Sequence, residues 1–383
     1  MALDAETRTQ FLDTIRRFVR DKLVPLEAEV SETDRIPDAI IQDMRDLGLF
    51  GLSIPTEHGG LGLSMEDEVL VCFELGQTSP AFRSAIGTNV GIGSQGIVMF
   101  GRDEQKRAWL PKLASGEAIA SFCLTEPGAG SDAASLKTTA IRRGDHYVVN
   151  GTKRYITNAN RASVFTLMAR TNPENKGAGG ISAFVVPSNL PGIVIGKPEK
   201  KMGQQGAHIC DVIFEDAKIP VECLLGDKEG EGFKVAMQVL DRGRLHIAAV
   251  CVGVAERLVR ESVRYAQERT QFGQRIGDFQ LIQAMLADSK TETYAARSMI
   301  LDAARKRDEG QNISMEASCC KLFASEMVGR VADRAVQIFG GAGYVADYGI
   351  ERFYRDVRIF RLYEGTSQIQ QIVIARALMK GEG

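Results

Sequence analysis

The sequence predicts a mainly α protein with a central β domain: an N-terminal helical domain, a middle β-barrel-like domain and a C-terminal helical bundle. Apolar residues recur three and four apart over the first third and again, in much longer runs, after Gly232. Between them lie short β-rich segments separated by turn residues. The chain of 383 residues exceeds one ordinary core, so domain limits are expected at 1–120, 121–230 and 231–383.

Residues 6–24 carry Phe11, Leu12, Ile15, Phe18, Val19 and Leu23 at helical spacing, and Pro25 interrupts the run. The helical pattern continues over 40–49, 65–75 and 103–113, broken by Gly and Pro clusters such as 55–63. From Ala118 the pattern changes. Two β-rich runs within 146–157 are joined by Asn150-Gly151, whose residue types supply the positive φ angles of a two-residue hairpin turn. Further strands are expected at 164–169, 181–186, 192–196 and 211–214. Long helices then follow at 233–267, 281–308 and 314–339. Residues 247–254 are small and apolar enough to be buried on most sides, which suggests packing between copies of the chain.

A formal net charge of -2, with 25% charged and 44% hydrophobic residues, gives no electrostatic footprint for nucleic acid or an anionic membrane. Small molecules or proteins are the expected partners. No stretch reaches the roughly 20 apolar residues of a bilayer span. The first 20 residues have no secretory pattern. Seven cysteines without Cys-x-x-Cys pairs point to reduced, buried thiols and a cytoplasmic location. The four histidines are scattered, so no metal is expected.

Three segments match the dinucleotide fingerprint superficially: 91–96, 128–133 and 341–346. None has the strand before it and the helix after it that place a pyrophosphate on a helix N-terminus, so a Rossmann domain is unsupported. The middle segment matters for another reason. In Phe122-Cys123-Leu124-Thr125-Glu126-Pro127-Gly128-Ala129-Gly130-Ser131-Asp132, small residues let backbone N–H groups approach a planar ring or phosphate, and Thr125 and Ser131 add hydroxyls. Far downstream, Tyr363-Glu364-Gly365-Thr366-Ser367-Gln368 places one carboxylate on a glycine-followed turn. Glu364 is a candidate general base, although Thr366 also suits a helix N-cap with an acid before it.

Together these blocks resemble the acyl-CoA dehydrogenase family, and the resemblance covers nearly the whole chain. It implies FAD as cofactor, with Phe122, Leu124, Thr125, Gly130 and Ser131 along the flavin and Tyr155 and Thr157 behind the ring. It implies that Arg269, Phe272 and Gln280, and Gln337, Gly340 and Gly341, reach the FAD of a neighbouring subunit, with Thr366 and Gln368 contacting it from the base side. Ser131, Asp241, Arg244, Tyr363 and Gly365 are the implied substrate contacts.

The implied reaction is α,β-dehydrogenation of an acyl-CoA thioester to the trans-2-enoyl-CoA, with Glu364 taking the α-proton and flavin N5 the hydride. Electron-transfer flavoprotein is the implied acceptor, and a homotetramer built as a dimer of dimers is the implied assembly. Gly243 falls where some members carry an alternative catalytic Glu, so Glu364 is the only base left. Tyr155 stands for the usual Trp, and Phe279 stands where some members place a His. The rival readings are an acyl-CoA oxidase, a non-redox lyase or desulfinase on the same fold, and a flavin-free scaffold. The small residues Gly87, Thr88, Gly91 and Gly93, on a helix expected around 85–94, suggest a roomy or branched-chain acyl pocket.

Overall fold

The computed structural model describes residues 2–381. Seven α-helices come first: α1 (Ala5–Phe18), α2 (Glu27–Thr33), α3 (Asp38–Asp46), α4 (Met65–Leu75), α5 (Pro80–Val90), α6 (Gln95–Phe100) and α7 (Asp103–Ser115). Their starts follow local chemistry. Asp4 and Ser64 cap α1 and α4 through their side-chain oxygens, and α5 begins with Ser79 as cap and Pro80 in its first turn. Pro25 does not stop the N-terminal run. It sits in the short turn Val24–Leu26, at a helix start where its missing N–H costs nothing, and α2 follows directly.

The middle of the chain folds into β1 (Ala120–Cys123), β2 (Thr139–Arg143), β3 (His146–Thr157), β4 (Val164–Arg170), β5 (Ile181–Pro187), β6 (Ile193–Ile195) and β7 (Ile209–Pro220). They form one curled sheet in the order β1-β4-β2-β3-β7-β6, with β5 on β4. The Asn150-Gly151 pair is not a hairpin turn. It lies inside β3, where the register against β7 shifts between Val149 and Gly151, and Gly151 takes φ 147° in that bulge. The tight turn of this region is Gly144-Asp145, between the paired residues Arg143 and His146, with Gly144 at φ 64°.

Six further helices and a small hairpin complete the chain: α8 (Gly232–Glu268), β8 (Thr270–Gln271), β9 (Gln274–Arg275), α9 (Gln280–Asp308), α10 (Ser314–Phe339), α11 (Gly341–Tyr344), α12 (Ile350–Val357) and α13 (Ser367–Met379). The small-residue run 247–254 is covered within the chain itself, in a core shared with α4, α9 and α10. A Cβ on Gly253 would stand 2.3 Å from the carbonyl oxygen of Phe73, so small residues there serve the close approach of α4 to α8 rather than contact between copies. Among the described residues no helix is long and apolar enough to cross a membrane, and the seven cysteines are free thiols.

Candidate active site

Glu364 lies on the turn between α12 and α13 in a left-handed conformation, φ 53°, followed by Gly365 at φ 90°. A non-glycine residue tolerates that region at a cost, and the fold holds it there. Gln370 Nε2 donates to the carbonyl oxygens of Glu364 and Gly365 at 3.0 and 3.1 Å, and Lys321 Nζ donates to that of Gly365 at 2.6 Å. Thr366 is the N-cap of α13, its hydroxyl accepting from the N–H of Ile369. Thr366 therefore does the capping, and the carboxylate of Glu364 is free for other work.

That carboxylate is packed against α8. A Cβ on Gly243 would lie 2.2 Å from Oε2 of Glu364. Parts of Glu364 remain accessible, yet Oε2 is buried without a hydrogen-bond partner. Burial pushes its pKa above the ordinary carboxylate range, opposed in order by the charges of Arg83, Lys321 and Arg244. Burial also drives the neighbouring Tyr363 phenol well upward. The ammonium of Lys321 is itself lowered by burial to about 8.

The other candidate substrate residues on α8 lie one turn apart. Arg244 Nη1 donates to Asp241 Oδ1 at 2.6 Å and to Ser318 Oγ at 3.3 Å, and burial raises the carboxyl of Asp241.

At the upstream block, Phe122 and Leu124 are buried, Thr125 is half-buried, and Gly130 and Ser131 are exposed. Glu126 organises the loop from below. Its carboxylate accepts from the N–H groups of Lys137 and Thr138 and from the buried Lys153 ammonium at 2.7 Å. The Glu126–Ala129 turn carries Gly128 at its bend, and a Cβ on Gly128 or Gly130 would meet nothing within 4 Å. A cavity of about 300 Å³ adjoins this turn, lined by Glu126, Pro127, Gly128, Lys137, Thr138, Gly151 and Thr152. The Arg154 N–H donates to the Thr125 carbonyl at 2.8 Å and joins the loop to β3. There a second bulge holds Tyr155 at φ 60° and leaves its ring 57% exposed. Thr157 follows, its carbonyl accepting from Ser121 Oγ.

Helix α5 connects the two blocks. On one side Asn158 Nδ2 donates to Ser84 O and Thr88 Oγ1 at 2.9 and 3.0 Å, and on the other Arg83 approaches Glu364. The helix ends at Val90, so Gly91 and Gly93 lie beyond it. Gly87 does not make the pocket roomy, because a Cβ there would stand 2.6 Å from Nη1 of Arg83. The guanidinium occupies that space.

The remaining candidates lie together at one end of the C-terminal helices, where Tyr265 stacks on Phe339 at 4.1 Å. Arg269 leads into the β8–β9 hairpin, whose tip is Phe272-Gly273 at φ 54° and 81°, with Phe272 93% exposed. Gln280 opens α9, and Gln337, Gly340 and Gly341 surround the end of α10. All are exposed in the single chain, as is Gln368.

Three family models cover almost the entire chain: the N-terminal domain of acyl-CoA dehydrogenase over 5–117, its middle domain over 121–217 and its C-terminal domain over 230–379. The chain belongs to the acyl-CoA dehydrogenase family. The chain is 41% identical to the acyl-CoA dehydrogenase of Bacillus subtilis (strain 168), over 96% of each chain. It is 41% identical to the caffeyl-CoA reductase-Etf complex subunit CarC of Acetobacterium woodii, over 92% of each. It superposes with TM-score 0.91 on the acyl-CoA dehydrogenase complexed with FAD from Bacillus anthracis, at 36% identity, over 99% of this chain and 68% of that one.

The family's cofactor is FAD, and the residues present fit it. Bare glycine backbone at Gly128 and Gly130, the exposed ring of Tyr155 beside Thr125 and the unobstructed glycines 340 and 341 leave room for a flat ring and a phosphate chain. A larger cavity, about 610 Å³ between α8 and α9, is lined by residues such as Glu256, Arg260 and Lys290 and contains none of these candidates.

Sequence reasoning missed Arg83 and Lys321. Arg83 is the single charged residue of α5, a helix buried nearly all round, and Lys321 shares the face of α10 that buries Ala317, Ala324 and Val328. A lone cation on an apolar helix face was the available signal.

Proposed function

We propose that this enzyme removes the α-proton and β-hydride of an acyl-CoA thioester, with Glu364 as the base, to give a trans-2-enoyl-CoA. The observation that carries the reading is the buried, unpartnered Oε2 of Glu364 on a turn whose carbonyls are clamped by Lys321 and Gln370. A carboxylate in water, with a pKa of about 4.3, is too weak for an α C–H. Burial raises the basicity of Glu364, and three surrounding cations keep an ionised fraction available.

The N–H of Glu364 has no intrachain acceptor among the described residues, which leaves it able to donate to the thioester carbonyl as enolate charge develops. Bound FAD supplies the hydride acceptor that no side chain can provide. Phe122, Leu124, Thr125, Gly130, Ser131, Tyr155 and Thr157 would hold its ring side. Asp241, Arg244, Tyr363, Gly365 and Ser131 would line the thioester's path.

Arg269, Phe272, Gln280, Gln337, Gly340 and Gly341, with Thr366 and Gln368, would complete the FAD site between two copies of the chain. The exposed aromatic tip of the hairpin supports a contact between copies, and a homotetramer of paired dimers is the proposed assembly. Electron-transfer flavoprotein is the proposed electron partner. The same residues serve enoyl-CoA reduction by microscopic reversibility, and the likeness to a subunit of a caffeyl-CoA reductase-Etf complex favours keeping that direction in the test.

The test is anaerobic titration of the yellow protein with acyl-CoA thioesters of varied length and branching, and of the reduced protein with enoyl-CoA thioesters. Flavin bleaching by a saturated thioester, abolished in Glu364→Gln, is expected. Bleaching that survives in Glu364→Gln overturns the assignment of the base, and peroxide release under air at the turnover rate would mark an oxidase.

A further inference from the structure

The guanidinium of Arg83 differs from every other buried arginine of the described chain. Arg244 is paired with Asp241, Arg352 with Glu27, and Arg170 is held by four backbone carbonyls. Arg83 is 91% shielded, given its 9% exposure, and among the described residues no carboxylate stands within ion-pair distance of it. Its polar neighbour is the thiol of Cys72, a weak acceptor that burial keeps protonated by raising its pKa to about 11. The buried acid on the same side, Glu68, is already taken by Arg242 and by Nε2 of His246 at 2.6 Å.

The position of this cation is well defined. Its Nη1 lies over Gly87, where a Cβ would come within 2.6 Å, and its charge acts on Tyr363, Glu364 and His246. Two of those neighbours carry buried atoms without partners: Oε2 of Glu364 and Nδ1 of His246. A buried, unpaired cation beside a reaction centre is costly unless a ligand supplies the counter-charge. The thioester cannot do so, because the acyl carbonyl is neutral and the phosphates of CoA are large and hydrated.

We infer that Arg83 binds an anionic group at the far end of the acyl chain, so that the enzyme's substrates are ω-carboxyacyl-CoA thioesters, short dicarboxylic acids activated at one end, rather than simple alkanoyl-CoA. This rests on the reading of Glu364 as the base of an acyl-CoA dehydrogenase. Gly87 is then a specificity residue, since its missing side chain lets the guanidinium lie along α5 and face the acyl chain.

The experiment compares glutaryl-CoA with butyryl-CoA, equal in CoA moiety and differing in the terminal carboxylate, in the holoenzyme and in Arg83→Met and Gly87→Ala. Anaerobic flavin bleaching and steady-state kcat/KM with an artificial acceptor are the readouts. Wild type should favour glutaryl-CoA by at least about tenfold. Arg83→Met should lower the glutaryl-to-butyryl ratio by about 100-fold, mainly through KM for glutaryl-CoA. Gly87→Ala, which keeps the charge but displaces it, should move the ratio the same way.

A wild-type preference for butyryl-CoA overturns the inference while leaving the dehydrogenase reading intact. An equal loss with both thioesters in Arg83→Met also overturns it, and makes Arg83 a positioning residue for Glu364. Flavin bleached by no thioester at all defeats both readings. If Arg83→Met does not accumulate as folded protein, the wild-type ratio and Gly87→Ala decide.

Discussion

Gly243 and Glu364 share a space that holds only one side chain: a Cβ on the glycine would come within 2.2 Å of Oε2 and 2.9 Å of Cδ of the glutamate. The glycine is mid-helix in α8, where alanine would be favoured by about 0.5–1 kcal/mol. Its presence there serves the carboxylate. Gly243→Ala is therefore expected to keep or raise Tm while lowering kcat by about 100-fold, because the base must move aside. A thermal melt and a turnover assay on the same sample check both signs.

Glu364→Gln keeps the size of the side chain and the clamps on the turn, which run through main-chain carbonyls. The variant is expected to retain flavin and to bind acyl-CoA, with dehydrogenation lowered by about 10³ to 10⁴. Flavin content, thioester-induced spectral change and turnover separate the three properties.

Lys321 both clamps Gly365 and lowers the pKa of Glu364 by its charge. Lys321→Met should shift the acidic limb of the pH–rate profile to higher pH and lower the rate at neutral pH by about tenfold. A mere packing defect would lower the rate without moving the limb.

Asp356 is buried, accepts from the N–H of Gln204 and from Ser79 Oγ, and has its pKa raised by burial to about 6. The folded state therefore holds this proton more tightly than the unfolded chain does. Its stabilising contribution is present below the ordinary aspartate value of 3.8 and is lost as pH rises through about 6, a difference of about 3 kcal/mol. Asp356→Asn should gain Tm relative to wild type progressively between those pH values and hold a constant advantage above them.

Phe272 stands at the tip of the β8–β9 hairpin, almost entirely exposed in the single chain. Phe272→Ser should leave the Tm of the isolated chain nearly unchanged but weaken assembly, and with it FAD retention. Light scattering with flavin quantitation over a dilution series reads both.

Much of the helical framework was legible because α8, α9 and α10 are long enough for periodicity to average over local exceptions; the 314–339 limits agree to the residue. Glu364 was legible for a different reason, since a carboxylate followed by glycine marks a turn with positive φ. Asn150-Gly151 misled because the dipeptide that suits a hairpin turn also suits a bulge, and only the pairing of β3 with β7 along its length distinguishes them. The pocket misled similarly. Small residues at 87, 91 and 93 read as empty space, whereas the space beside Gly87 is filled by Arg83 from one turn earlier on the same helix. Burial of a long side chain over a glycine is a three-dimensional fact that spacing does not reveal.

Helix α8 is 37 residues long, roughly 55 Å. It floors the base with Gly243 in its first half, and at its far end it hands the chain to the hairpin that bears Phe272. In the paired assembly proposed above, one stiff rod would belong to two reaction centres at once. A shift that admits a bulkier thioester at the first centre would be felt as a tug on the cofactor of the second, so tuning for a new substrate would have to satisfy both ends together.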